Sequence, residues 1–217
     1  MRNDLVELVC ILDRSGSMAS IIDDAIGGLN TFIKEQQSLE DGVEVRTTIV
    51  MFDDKYEIAY KEVNVKEIPE FNRNSYSPRG MTALYDAIGK TVNNIGARLH
   101  NTPEHLRPGK VIFVIVTDGE ENSSHEFNMH QINSMISHQR DKYSWEFIFL
   151  AANQDAMAVG RSIGVADVNT VTWQPTSGGV HQAYSAVSNY AKCGRSTIGG
   201  QSASLRSHIS DDDDELS

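Results

Sequence analysis

The chain's 217 residues, 40% hydrophobic and 23% charged, suit one globular domain or at most two small ones and exclude global disorder. A fold of this size buries about 70% of its unfolded surface, so it needs neither a disulfide nor a metal merely to fold. The formal net charge is −11, yet five of the thirty acids stand in one run at 211–215; the −6 left to the body argues against nucleic acid as a partner.

No apolar stretch approaches the roughly 20 residues that span a bilayer, so no membrane association is expected. Met1-Arg2-Asn3-Asp4 leads straight into an apolar segment without a small-residue cleavage site, which gives no sign of a secretory signal. Cys10 and Cys193 are too few for a disulfide framework, and Cys10 lies in an apolar run where a reduced, buried thiol is expected. These features together place the protein in the cytoplasm.

Residues 5–12 (LVELVCIL) are almost continuously apolar, as in a strand covered on both faces. Met18, Ile21, Ile22, Ala25, Ile26, Leu29, Phe32 and Ile33 then recur at steps of three and four, which predicts a helix. Gly27 and Gly28 within it point to close packing on a sheet. Residues 43–52 and 56–63 read as strands separated only by Asp53-Asp54-Lys55. That gap is too short for a parallel crossover, so the pair must be a hairpin with its more polar member at a sheet edge. A helix over 82–99, the strand 111–116 (VIFVIV), a helix over 126–139 and a strand at 145–151 follow. A short helix ending near Ile163-Gly164, a strand at 168–173 and a helix over 179–190 complete the pattern. The predicted fold is α/β: a doubly wound, mostly parallel six-stranded sheet with one antiparallel edge strand and helices on both faces. Residues 1–192 form one domain, and 193–217, rich in Ser, Gly and Asp, read as a flexible acidic tail.

Sites in such sheets form beyond the carboxyl ends of the strands. The first strand runs into Asp13-Arg14-Ser15-Gly16-Ser17 and the strand 111–116 into Thr117-Asp118-Gly119. Thr82 follows Arg79-Gly80-Met81 at a helix start. Carboxylate and hydroxyl oxygens without His or Cys suit a hard cation such as Mg²⁺ or Mn²⁺. Each residue also has a plainer reading, since Ser17 and Thr82 precede helices as N-caps do and Asp118-Gly119 makes a turn. All five together on one edge favour the metal.

Asp13-x-Ser15-x-Ser17, Thr82 and Asp118-Gly119 resemble the metal-ion-dependent adhesion site (MIDAS) of von Willebrand factor type A (vWA) domains, over roughly residues 5–173. The run 117–124 is more similar to compact bacterial and phage members than to the integrin inserted domains. The resemblance implies a Rossmann-like sheet in which Ser15, Ser17 and Thr82 coordinate the ion through hydroxyls. Asp13 and Asp118 would hold it largely through waters. It also implies a protein partner whose Asp or Glu completes the coordination. The surrounding rim, Arg14, Ser77, Arg79, Met81, Glu120, Glu121, His125, Asn153 and Asp155, would choose the partner; Asp155 also reads as a helix cap.

Other motifs carry less. Ile88-Gly89-Lys90-Thr91 mimics the end of a phosphate loop, but Leu84 stands where the first glycine belongs. His125 and His130 are five apart, whereas a zinc-binding helix face needs four. Asp13-x-Ser15 lacks the second acid of an aspartyl phosphatase, and Asn122-Ser123-Ser124 is a sequon that a cytoplasmic chain would not use. The sequence therefore predicts a non-enzymatic, metal-dependent protein-interaction module. A metal-dependent hydrolase or phosphotransfer accessory enzyme, and a scaffold whose metal is incidental, remain as alternatives.

Overall fold

The computed structural model describes residues 1–118, 120–152, 156–174 and 176–196. In β1 (Arg2–Asp13) successive side chains leave opposite faces, and here both faces are covered. Val6, Leu8, Cys10 and Leu12 enter one core, while Val9 and Ile11 enter another. That is why 5–12 reads as unbroken hydrophobicity rather than alternation. Burial pushes the Cys10 thiol up to about 12, keeping it protonated.

The sheet adds β2 (Glu44–Phe52), β3 (Tyr56–Asn64), β4 (Pro108–Thr117), β5 (Glu146–Ala151) and β6 (Thr170–Thr172). Its order is β3-β2-β1-β4-β5-β6, with every pairing parallel except β2 with β3. The expected doubly wound sheet and its antiparallel edge hairpin are thus present. Helices α1 (Ile22–Ser38) and α5 (Ser177–Ser196) cover one face. Helices α2 (Leu84–Asn101), α3 (Met129–Tyr143) and α4 (Ala156–Ser162) cover the other.

Several boundaries differ from expectation. The predicted first helix is broken: Gly16–Ser20 is a 3-10 turn, and α1 begins only after Ile21, whose ψ of 12° leaves the helical range. Helix α3 starts three residues late, where Asn128 and Gln131 form a reciprocal capping box. Strand β6 keeps three residues because Asp167–Asn169 coil into a 3-10 turn. Helix α5 runs on to Ser196, so the first four residues of the expected tail are helical; 197–217 lie outside the described residues.

The paired glycines of α1 are not alike, and neither packs as expected on the sheet. A Cβ on Gly28 would lie 2.4 Å from the Tyr184 ring of α5, whereas one on Gly27 would meet nothing within 4 Å. Gly28 therefore sets the approach of α1 to α5, and Gly27 only lowers helix propensity. Gly28→Ala should cost about 1–3 kcal/mol by overpacking. Gly27→Ala should gain up to about 1 kcal/mol. Urea unfolding of the two variants checks both signs.

Candidate metal centre

Parallel pairing brings the ends of the central strands to one edge: Asp13 lies opposite Phe52, and Leu12 opposite Val116. The Asp13 side chain is fully buried. One carboxylate oxygen accepts the Ser15 N–H at 2.7 Å and the other the Thr117 hydroxyl at 2.6 Å. Its carbonyl accepts the hydroxyl of Tyr76, a fully buried side chain that sequence reasoning did not single out. From there a line of oxygens runs outward. Ser15 Oγ is 3.0 Å from Ser17 Oγ, and the Ser17 hydroxyl donates to Asp118 at 2.8 Å. Four of the five expected ligands are therefore in one connected cluster.

Thr82 comes in through its loop. The Arg79 N–H bonds the Arg14 carbonyl, and the Gly16 N–H bonds the Gly80 carbonyl, which lays the 79–82 segment along the first loop. The Thr82 N–H donates to the Asn122 side chain, and the Thr82 carbonyl accepts the N–H groups of Asn122 and Ser123. All of these bonds use the Thr82 main chain. Its hydroxyl does not cap α2 either, because the N-cap position is Ala83 and no side-chain cap bond forms there.

The orphan donors of the first turn of α2 are met from a loop about 36 residues away. Glu121 accepts the Tyr85 N–H at 3.0 Å, and the Ser124 hydroxyl accepts the Asp86 N–H at 3.1 Å. In return Asp86, almost wholly buried, accepts the N–H groups of His125, Glu126 and Phe127 at 3.0, 2.9 and 2.8 Å. This clip ties the segment after Asp118 to the segment after Thr82. It also explains the late start of α3, since 125–127 are held as a loop. His125 consequently stands off the helix that carries His130, which removes the zinc-like pattern.

The expected rim divides. Met81 is 53% exposed, and Ser77, Glu120 and His125 are exposed too. Arg14 is a correction: it is only 6% exposed, its Nε on Asp53 at 2.9 Å and its Nη2 on Glu57 at 2.8 Å. The cause is Asp53, a fully buried carboxylate in the hairpin turn that draws in two guanidinium groups. Arg79 also binds it, at 2.7 Å, while staying about half exposed. Glu121 is likewise committed inward to the clip. Gly119, Asn153 and Asp155 lie outside the described residues.

The donor set fits a hard divalent cation. Burial pushes the Asp118 carboxyl up to about 6, with the Ser17 hydroxyl opposing and the charge of Asp13 adding to the rise. Burial raises Asp13 as well. Among the described residues, no Lys, Arg or His forms an ion pair with either carboxylate. Two desolvated acids beside the Ser15 and Ser17 hydroxyls are thus short of positive charge, which a cation would supply. Among the described residues no group of three or more His, Cys, Asp or Glu is placed to hold a metal, so carboxylate and imidazole counting alone would pass this site over.

No family model and no curated protein matches the chain. Solved structures do. Proximal thread matrix protein 1 from the mussel byssus is 14% identical with a TM-score of 0.58, over 85% of this chain and 45% of that one. Its form with a zinc-occupied MIDAS motif gives 12% and 0.62, over 87% and 48%. The pilus adhesin SpaC from Lactobacillus rhamnosus GG, in its open conformation, gives 14% and 0.60, over 85% and 29%. Manganese-loaded TRAP protein of Plasmodium vivax gives 16% and 0.50, over 71% and 59%. These likenesses, with the sheet order, make the fold that of von Willebrand factor type A domains. The chain spans under half the length of the mussel proteins.

The clip makes a pH-dependent contribution. Burial alone would raise the Asp86 carboxyl, but the N–H groups of His125, Phe127 and Glu126 outweigh it and hold the group below the usual carboxylate range. A depressed folded value means stability that is complete above about pH 4 and lost as pH falls through that folded value. Asp86→Ala should therefore cost about 2–3 kcal/mol at pH 7 through three orphaned donors. It should also flatten the acid limb of the stability profile. Urea melts at pH 7 and pH 3 test this, and a variant as acid-sensitive as wild type would assign that limb elsewhere.

Proposed function

We propose that this chain is a metal-dependent protein-interaction module, with Asp13, Ser15, Ser17, Thr82 and Asp118 as the residues that hold a divalent ion. The observation that carries the proposal is the oxygen line from buried Asp13 through Ser15 and Ser17 to Asp118, in which no carboxylate pairs with a basic side chain among the described residues. Oxygen-only donors favour Mg²⁺ or Mn²⁺. An ion bound there supplies a positively charged position that an anionic oxygen from a partner can occupy.

The chain's own residues do the remainder. Ser15, Ser17 and Thr82 offer neutral oxygens, so the ion's charge is only partly cancelled and an Asp or Glu of a partner is attracted. Asp13, locked by Ser15 and Thr117, fixes the inner wall. Met81, Glu120, His125 and the outer half of Arg79 face solvent around the centre and would meet the partner's surface. Arg14 contributes by holding Asp53 rather than by touching the partner. The hydroxyls of the cluster that meet carboxylates, Ser17 on Asp118 and Thr117 on Asp13, are read as parts of a cation-binding set, so the module is proposed as a binder and not an enzyme. No helix among the described residues is long and apolar enough to cross a membrane. We place the protein in the cytoplasm, as a vWA protein of the compact bacterial or phage kind.

Calorimetry should give one Mn²⁺ or Mg²⁺ per chain for wild type, with binding lost in Asp13→Ala. A pull-down in magnesium should retain a protein that Thr82→Ala and EDTA both release, while Thr82→Ala keeps a wild-type unfolding midpoint. The same proteins retained in every lane would refute carboxylate completion of the ion, and no calorimetric signal in wild type would refute the centre itself.

A further inference from the structure

The other end of the sheet holds a cavity of about 590 Å³, within the range of small-molecule sites. It opens where β4 begins at Pro108 and β5 at Glu146, between the last turns of α2 and α3. The full length of β4, about 30 Å, separates it from Asp118. Its floor is apolar, with Leu99, Val111 and Trp145 buried there. The buried Lys110–Glu146 pair at 2.9 Å and the Gln139 side chain add polar groups to the lining.

Two observations indicate what the cavity takes. The first is Gly96, on the α2 wall. A glycine inside a helix costs up to about 1 kcal/mol against alanine. Packing does not require this one, because a Cβ there would stand 3.7 Å from Gln139 and 3.8 Å from the Trp145 ring, ordinary contact distances. Gly89, seven residues earlier on the same helix, contrasts: its Cβ would strike the Phe127 ring at 2.6 Å. Gly96 leaves space open beside the edge of an indole. The second is charge. In a chain of net charge −11, the mouth carries Lys142 and Arg107 against one acid, Glu104, with Arg107 also donating to the Thr102 and His100 carbonyls at 2.8 and 3.1 Å. Lys142 is held there over the Tyr143 ring, 5.3 Å from its centroid.

We propose that this cavity is a second binding site, independent of the metal centre, for a small organic anion with an aromatic body. The ring would lie against Trp145 and Leu99 in the space Gly96 leaves, and the anionic group would face Lys142 at the mouth, with the charge of Arg107 beside it.

The probe is 1-anilinonaphthalene-8-sulfonate, followed by its own emission and by quenching of tryptophan, with neutral N-phenyl-1-naphthylamine as the uncharged analogue. Wild type should bind the sulfonate saturably at one site per chain, and the neutral analogue about tenfold more weakly or less. Gly96→Leu, which fills the space, should weaken the sulfonate by about tenfold or more with an unchanged unfolding midpoint. Lys142→Glu, a surface change that leaves the core alone, should weaken the sulfonate and spare the neutral analogue; it decides the matter if Gly96→Leu proves less stable. Absence of saturable binding, wild-type affinity in folded Gly96→Leu, or equal affinity for charged and neutral probes together with an indifferent Lys142→Glu would each overturn the proposal.

Discussion

At the end of the central strand a carboxylate is buried without a basic partner among the described residues, and the surrounding chain is arranged to make that tolerable. Asp13 takes one donor from the loop that follows its own strand and one from the end of β4, while its carbonyl takes a third from Tyr76. An isolated buried charge costs far more than any one hydrogen bond returns, so these donors cannot drift independently. The end of β1, the end of β4 and the turn over 72–76 are therefore fixed to one another around a single side chain.

The same device recurs around the centre with different partners. Asp53 gathers Arg14 and Arg79 and so anchors the hairpin turn to the first loop. Glu121 and Asp86 exchange bonds between the start of α2 and the segment after Asp118. Loops that would otherwise be the softest part of a doubly wound sheet are thus cross-tied by carboxylates. The hydroxyls of Ser15 and Ser17 lie beside that framework, bonded to one another and, through Ser17, to Asp118.

Most of the sheet was legible because its signals are local. Continuous apolar strands, a three-residue gap between two strands, and helical spacing with a period near 3.6 each report on neighbours in sequence. What escaped is non-local. The acceptor for the first turn of α2, Glu121, lies on a distant loop, so the plainer reading of Thr82 as the helix cap had no local signal against it. Arg14 looked like a surface cation because nothing near it in sequence reveals that Asp53 is buried beside it. The helix expected from 126 begins at Met129 because Asp86 claims three main-chain donors first. The positions of Asp13, Ser15, Ser17 and Asp118 beyond two strand ends and of Thr82 before a helix were readable from local pattern, whereas the tyrosine beneath Asp13 was not.

The cross-ties also bear on how such a surface can diversify. Asp86 holds the loop by the N–H groups of His125, Glu126 and Phe127, and Glu121 holds it by those of Ser123 and Ser124. A main-chain N–H is common to every amino acid but proline. The exposed side chains at 125 and 126 can therefore be exchanged for almost any other without loosening the frame, provided the four acids and the hydroxyls beneath them stay. A new preference for a partner can be written on this rim one residue at a time, and the substitution that the framework forbids there is proline.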